Sequence, residues 1–151
     1  RYLVCRAGWM MGGGPKKDKK FIQKLMKQIK DGNDIINIVN DKDGTPTYTH
    51  DFAITVKKLI QEELWGLYNC VCDGQTSRIE VAKELLSVLN IQDKVRINEV
   101  NSDFFKEIYY AERPPSERLV NKKLKLRKIN LMNDWKSSLK KYIENYYQNY
   151  L

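Results

Sequence analysis

The sequence predicts an α/β fold, because short apolar runs alternate with segments of helical periodicity. Four runs rich in apolar and β-branched residues indicate strands, at residues 2–5, 35–39, 67–71 and 95–100. The first of them has the composition of a strand buried in a parallel sheet. Since the chain opens directly on this strand, we expect it to be the end of a larger domain.

Helices are predicted between these strands. The segment 21–29 places apolar residues on one face and lysines on the other, and Gly32 ends it. A second helix, which Thr49 or Asp51 is predicted to cap, ends before Gly66. The alternation of strand and helix favours a parallel sheet, whose strands are joined by helical crossovers.

Capping residues mark the later helices. Ser77 and Glu80 form the pattern Ser-x-x-Glu, a capping box that opens a third helix. Asn121 is positioned to cap a short helix, and Asn133 or Asp134 begins the last one. The last helix carries a stripe that predicts core or interface packing: Trp135, Leu139, Tyr142, Ile143, Tyr146 and Tyr150.

The composition is that of a folded protein with a basic surface. The chain has 151 residues, of which 42% are hydrophobic and 30% charged, and its formal net charge is +8. Lysine and arginine concentrate at residues 16–30 and 113–128, which we interpret as solvated helix faces. The charge raises the alternative of a nucleic-acid-binding module, but the aromatic residues follow helical stripes instead of lying between the cations. No apolar run is long enough to span a bilayer, so neither nucleic acid nor membrane is an expected partner.

The cysteines and the single histidine predict no metal site. Cys5, Cys70 and Cys72 lie among apolar residues, and His50 is the only histidine, whereas zinc takes about four ligands. We expect buried free thiols in a reducing compartment and therefore a cytoplasmic protein. His50 has no neighbouring Ser or Cys nucleophile, and its place at a helix start predicts a surface residue.

The glycine-rich segment 8–15 is predicted to be a loop, and the segment 43–46 a turn. Glycines at 8, 12, 13 and 14 fit neither the Gly-x-Gly-x-x-Gly of a dinucleotide site nor a phosphate-binding P-loop, in which Lys and Ser or Thr follow the last glycine. No tyrosine of the chain is followed by lysine four residues later, so the Tyr-x-x-x-Lys pair of short-chain dehydrogenases is absent. We therefore assign no catalytic residue in this chain.

Several segments, in order along the chain, resemble the C-terminal half of the dTDP-dehydrorhamnose reductase family, a branch of the extended short-chain dehydrogenase/reductases. The opening segment 3–9 resembles that family's strand ending in Arg-Thr-Ser-Trp, and Asn-Asp-Lys-Asp-Gly-Thr-Pro-Thr-Tyr at 40–48 resembles its Asn-Asp-Gln-x-Gly-Ser-Pro-Thr-Tyr. The segments 66–80 and 113–124 resemble its Gly-x-Tyr-His strand with the following helix start, and its Arg-Pro-x-x-Ser-Arg-Leu stretch. Asp-Trp at 134–135 resembles its Pro-x-Trp ending.

The resemblance implies the end of a Rossmann-type parallel sheet plus a small mixed α/β C-terminal substrate-binding domain, with residues 1–151 as the substrate-binding part. It implies that Trp9 packs on the sugar of a nucleotide-diphosphate sugar, and that Lys20 and Arg113 lie near its phosphates. Ala7 and Gly8 would border the nicotinamide.

The same resemblance implies NADH or NADPH in the intact parent, held by an N-terminal Rossmann portion outside this chain, with no cofactor bound by this chain alone. A homodimer is a further possible assembly. Lys42 in place of Gln and Asn69 in place of His leave the reaction open. An epimerase or dehydratase of the same superfamily, or a non-catalytic binding module, is the alternative to a reductase.

Overall fold

The computed structural model describes residues 1–108 and 113–151, and these residues form alternating strands and helices as expected. The strands are β1 (Leu3–Arg6), β2 (Trp9–Met11), β3 (Ile35–Val39), β4 (Asp43–Gly44), β5 (Pro46–Tyr48), β6 (Gly66–Asn69), β7 (Thr76–Ser77), β8 (Arg96–Val100) and β9 (Ser116–Glu117). The α-helices are α1 (Gly14–Lys17), α2 (Phe21–Lys30), α3 (Thr49–Gln61), α4 (Arg78–Val88), α5 (Lys122–Leu126) and α6 (Trp135–Tyr146), and Ser102–Phe105 is a 3₁₀ helix.

Parallel pairing dominates the sheets. Strand β1 pairs with β6, β2 with β5, and β3 with β8, each in parallel. A small mixed sheet joins β7, β4 and β9, in which β4 runs antiparallel to β7 and parallel to β9. The α/β fold with parallel strands is therefore confirmed.

Two apolar cores hold these elements. In the larger core, side chains from α2, β3, α4 and α6 pack together, and the buried residues Ile22, Leu25 and Met26 recur at the helical spacing that the sequence indicated. The smaller core lies among β1, α3, β6 and α5, around Leu59 and Leu124. The start of β2 lies against the mixed sheet, since Gly44 of β4 contacts the ring of Trp9, and the candidate site is found there.

Within this chain the first strand is covered on one face only. Strand β1 spans Leu3–Arg6, and Val4 is 47% exposed, as is its register partner Leu67 at 42%. Only alternate side chains of β1 and β6 face the smaller core, because successive side chains of a strand point to opposite sides. None of the described residues packs on the outer face of the β1–β6 pair, which leaves Val4 and Leu67 exposed.

The expected loop at 8–15 and the expected turn at 43–46 also differ from the structure. Residues Trp9–Met11 form β2, which pairs with Pro46–Tyr48, and Asp43–Gly44 forms β4. The strand signal is weak in both segments because they are short and glycine-rich. Their strand character comes from partners far away in the sequence.

Two of the four predicted helix caps are confirmed, and neither Thr49 nor Asp51 caps α3, whose N-cap residue is Tyr48. The Ser77 hydroxyl accepts a hydrogen bond from the Glu80 amide, and the Glu80 carboxylate accepts one from the Ser77 amide, so the capping box is complete. The Asp134 side chain accepts from the Ser137 amide at the start of α6. Asn121 stands at the predicted position, but its side chain bonds the backbone of Val71 instead of capping α5.

The aromatic stripe of the last helix packs in the core as predicted, except that Tyr147 is buried in place of Tyr146. Tyr142 and Ile143 are buried, whereas Tyr146 is 47% exposed and Tyr147 is 2% exposed. Helix α6 ends at Tyr146, and Tyr147 leaves helical geometry with φ near −126°. Tyr146, the last residue of the helix, is thus partly exposed, and Tyr147, which lies just beyond the helix, enters the core.

Candidate functional site

The indole of Trp9 is held by its neighbours in the small mixed sheet. The Trp9 amide donates to the carbonyl of Thr45 at 2.9 Å, which anchors the residue beside β4 and β5. Gly44 of β4 lies against the six-membered ring so closely that an added Cβ would overlap Cε2 and Cζ2 of Trp9. Glycine is required here because only a bare backbone leaves room for the ring.

A hydrogen bond and a stacked cation fix the orientation of this ring. Nε1 of Trp9 donates to Oε2 of Glu117, on β9, at 2.7 Å. The guanidinium carbon of Arg78 lies 3.7 Å from the centroid of the Trp9 ring and 4.7 Å from that of Phe21. Arg78 thus contacts two aromatic rings, within the distance at which a cation is attracted to a π face.

The capping box explains the position of Arg78. Ser77 is the N-cap of α4, so Arg78 is the first residue of the helix, and its amide donates to the carbonyl of Lys42 at 3.3 Å. Burial lowers the pKa of Arg78 to about 10, an effect that the negative charge of Glu117 opposes and the positive charge of Arg113 reinforces. The side chain stays a cation at neutral pH although it is partly withdrawn from water.

Arg113 and Lys20 lie at the border of this cluster. The carbonyl of Arg113 accepts a hydrogen bond from Nζ of Lys42 at 2.8 Å, and the Asp43 amide donates to the carbonyl of Pro115. The segment carrying Arg113 is an irregular loop, as predicted, and it follows the edge of β4. Its side chain is exposed, and its charge is close enough to Arg78 to lower that residue's pKa.

Lys20 is exposed and precedes Phe21, whose ring contacts Arg78. Its amide donates to Oδ1 of the buried Asp18 at 2.7 Å, which fixes the start of α2. Of the three expected substrate-binding residues, Trp9 contacts Arg78 directly and Arg113 lies close enough to influence its charge. Lys20 is linked to Arg78 only through its neighbour Phe21.

Ala7 and Gly8 connect β1 to β2 and are partly buried. The Gly8 amide donates to Oγ1 of Thr47 at 2.9 Å, and an added Cβ at Gly8 would overlap the Thr45 carbonyl oxygen. The side of Gly8 on which a side chain would lie is thus filled by this chain. A ligand can approach these two residues only from their remaining surface.

Arg78, Glu117 and Gly44 were not among the expected site residues. The capping box was a usable signal for Arg78, because it placed this residue at the start of α4. No local signal exists for Glu117, which meets Trp9 across 108 positions of sequence.

His50 lies at the surface at the start of α3. The His50 side chain is 67% exposed, as predicted, and its Nδ1 lies 3.8 Å from Oδ1 of the buried Asp51, which accepts hydrogen bonds from Asn133 and Ser138. Among the described residues, no group of three or more His, Cys, Asp or Glu side chains could hold a metal ion. A search of the same residues finds no helix with the length and apolar character needed to cross a membrane.

The cysteines are free thiols of low reactivity. Burial raises the pKa of Cys5 and of Cys72, and it raises that of Cys70 to about 12. Since the thiolate is the reactive form, none of the three has the properties of a nucleophile at neutral pH.

Residues 1–148 match the family model described as the RmlD substrate binding domain. The chain is also similar to the dTDP-4-dehydrorhamnose reductase of Mycobacterium tuberculosis (strain ATCC 25618 / H37Rv), with 26% identity over 137 residues, 90% of this chain and 43% of that protein.

Solved structures give the same result. The crystal structure of dTDP-4-dehydrorhamnose reductase from Yersinia enterocolitica has a TM-score of 0.86 and 33% identity, over 95% of this chain and 49% of that one. The enzyme from Bacillus anthracis str. Ames in complex with NADP has a TM-score of 0.85 and 27% identity, over 96% of this chain and 49% of that one. A dTDP-glucose 4,6-dehydratase from the same organism, at 13% identity and a TM-score of 0.71, shares the fold. This chain spans about half the length of the proteins it matches.

Proposed function

Since this chain belongs to the RmlD substrate-binding domain family, we propose that it forms the sugar-nucleotide-binding wall of an NAD(P)-dependent reductase of the dTDP-4-dehydrorhamnose type. The match over residues 1–148 is the observation that carries the proposal. The site adds a physical reason, since an aromatic ring and several cations meet at one place, as the sugar and the phosphates of such a ligand require.

In this proposal Trp9 packs on the sugar. The indole is held at its edge by Glu117 and at its ring by Gly44, so little conformational freedom remains to be lost on binding. Arg113 and Lys20 supply positive charge for the diphosphate. Their exposed side chains are free to reach an anion at the border of the cluster.

The nicotinamide cofactor is proposed to be held by an N-terminal Rossmann portion outside this chain. Ala7 and Gly8 fit the edge of such a site only as small residues that leave space, because the Gly8 amide already donates to Thr47. The cofactor would supply the hydride, and the residues of this chain would bind and orient the sugar nucleotide. The NADP complex of the Bacillus anthracis enzyme makes NADPH the first cofactor to test.

The buried, unpaired thiols of Cys70 and Cys72 suit a reducing compartment, which supports a cytoplasmic location for the intact enzyme. A homodimer stays a prediction that solution measurements can address.

The experiment uses the full-length protein, with oxidation of NADPH followed spectroscopically after addition of dTDP-4-dehydrorhamnose. Turnover that depends on the sugar nucleotide is the expected result. The Trp9→Ala variant should bind dTDP-sugars more weakly while its affinity for NADPH stays near that of the wild type. An intact protein that binds NADPH but neither binds nor reduces any dTDP-sugar would overturn the proposal, and equal loss of both ligands in Trp9→Ala would reduce Trp9 to a structural role.

A further inference from the structure

The guanidinium of Arg78 covers part of the surface on which a sugar would pack. Its central carbon lies 3.7 Å from the centroid of the Trp9 ring, which is van der Waals contact. Gly44 covers part of the six-membered ring, and Glu117 holds the nitrogen edge. A sugar can therefore reach the portion of the indole under Arg78 only if the guanidinium moves away.

The N–H groups of the Arg78 guanidinium donate no hydrogen bond to the described residues. Among residues 1–108 and 113–151, none accepts a hydrogen bond from this guanidinium or forms an ion pair with it within 4.0 Å. Glu117 is the acid whose charge acts on it, but Oε2 of Glu117 is bonded to Trp9. None of its nitrogens is a buried donor without a partner, so they are open to solvent, and a partly buried cation with such N–H groups can take up an anionic partner.

We propose, on the basis of the proposed function, that Arg78 exchanges partners when a nucleoside-diphosphate sugar binds. Without ligand the guanidinium stacks on Trp9; with ligand it turns to the diphosphate and leaves the ring to the sugar. Arg78 is thus a positioning and specificity residue that couples recognition of the two halves of the ligand.

The surroundings favour this exchange. The backbone of Arg78 is fixed by the capping box, so only its long side chain needs to move. The first turn of α4, a helix of 11 residues, has a positive end that the Glu80 carboxylate partly neutralises, and Arg113 adds a positive charge nearby. A bidentate bond to phosphate is stronger than a cation–π contact, so the guanidinium gains by the exchange.

The test compares two probes on the full-length protein by calorimetry, thymidine diphosphate and dTDP-glucose. Arg78→Gln should weaken the binding of both probes by about tenfold or more, because the charge-assisted bonds to the diphosphate are lost. Trp9→Ala should leave thymidine diphosphate binding equal to that of the wild type or tighter, because Arg78 is released, while the added affinity due to the sugar is lost. Arg78→Lys, which keeps the charge but cannot form a bidentate bond, should bind thymidine diphosphate more weakly than the wild type and more tightly than Arg78→Gln.

The matched control is Arg127→Gln, which removes one exposed charge from the basic segment 113–128 and should bind both probes as the wild type does. Melting temperatures within the error of the wild type confirm that each variant is folded. A structure of the intact protein with dTDP-glucose should place the Arg78 guanidinium beyond about 6 Å from the Trp9 centroid, outside the range of a cation–π contact.

Two results would overturn the inference. If Arg78→Gln loses only the sugar-dependent affinity and binds thymidine diphosphate normally, Arg78 merely supports Trp9. If Arg78 still stacks on Trp9 in the dTDP-glucose complex, no exchange takes place. Failure of the wild-type protein to bind either probe would instead overturn the proposed function, so the two failures are distinguishable.

Discussion

Glu117 accepts a hydrogen bond from the indole nitrogen of Trp9 at 2.7 Å, and this bond joins β2 to β9. The bond orients the ring while Gly44 supports it from the backbone. The negative charge of the carboxylate also raises the pKa of Arg78 and so stabilises its charged form. One acidic residue therefore sets both the geometry and the electrostatics of the candidate sugar platform.

Replacing Glu117 should separate these two roles. Glu117→Leu removes the acceptor and should weaken dTDP-sugar binding by about tenfold, in line with a bond to a charged group of about 1.5–3 kcal/mol. Glu117→Gln keeps an acceptor oxygen and removes the charge, so sugar binding should be retained. Calorimetric affinities of the two variants decide the matter, and equal losses in both would show that the charge matters and the bond does not.

Gly44→Ala should displace the Trp9 ring. The added methyl group would overlap ring atoms, and we expect a loss of stability of about 1–3 kcal/mol together with weaker dTDP-sugar binding. Gly32→Ala is the matched control, because Gly32 has φ +87° and open space around it. It should cost stability through backbone strain and leave ligand affinity unchanged. Chemical denaturation and calorimetry measure the two effects, and normal binding by Gly44→Ala would contradict the prediction.

Tyr142→Phe should destabilise the protein. The Tyr142 hydroxyl donates to Oδ2 of the buried Asp18 at 2.8 Å and accepts from the Gly14 amide at 3.2 Å. Its removal leaves a buried carboxylate and a buried amide short of a partner, so the free energy of unfolding should fall by about 1–3 kcal/mol. Tyr146→Phe removes an exposed hydroxyl of the same helix and should change it by less than about 0.5 kcal/mol. Urea denaturation measures both, and equal effects would refute the assignment.

Alkaline pH should destabilise the protein partly through Cys70. Burial raises the pKa of this thiol from 9.0 to about 12, so between these values the unfolded chain loses its proton while the folded chain keeps it. The unfolded state then binds fewer protons, and the free energy of unfolding falls as the pH rises above 9.0. The contribution is complete below pH 9.0 and is lost progressively toward pH 12.

The melting temperature of the wild type should therefore decline more steeply across this range than that of Cys70→Ala. A parallel decline in both proteins would show that Cys70 contributes nothing to it. Burial also raises the pKa of Tyr147 to about 12, so part of the decline should persist in the variant.

The elements that carry their own local signal were predictable, and those that depend on distant partners were not. Helix α4 was defined by Ser77 and Glu80, and α2 by its apolar period, because the residues that specify them lie within a few positions of each other. Strands β2 and β4 were missed because the strands with which they pair are distant in the sequence. Tyr147 was missed because the end of α6 breaks the period that would have placed it outside.

The residues of the candidate site likewise divide into those that the sequence indicated and those that required the folded structure. Trp9, Lys20 and Arg113 came from the family resemblance of their segments, and their roles stay predictions. Arg78 required the stacking geometry, and Glu117 required the folded proximity of residues that are 108 positions apart.

The buried Asp18 connects the last helix to the residues of the candidate site. Tyr142 of α6 bonds one oxygen of Asp18, the other accepts from the Lys20 amide, and the next residue, Phe21, touches Arg78. A substitution that unwinds α6 should therefore disturb the contacts of Asp18 and weaken the proposed nucleotide binding without altering any residue of the candidate site.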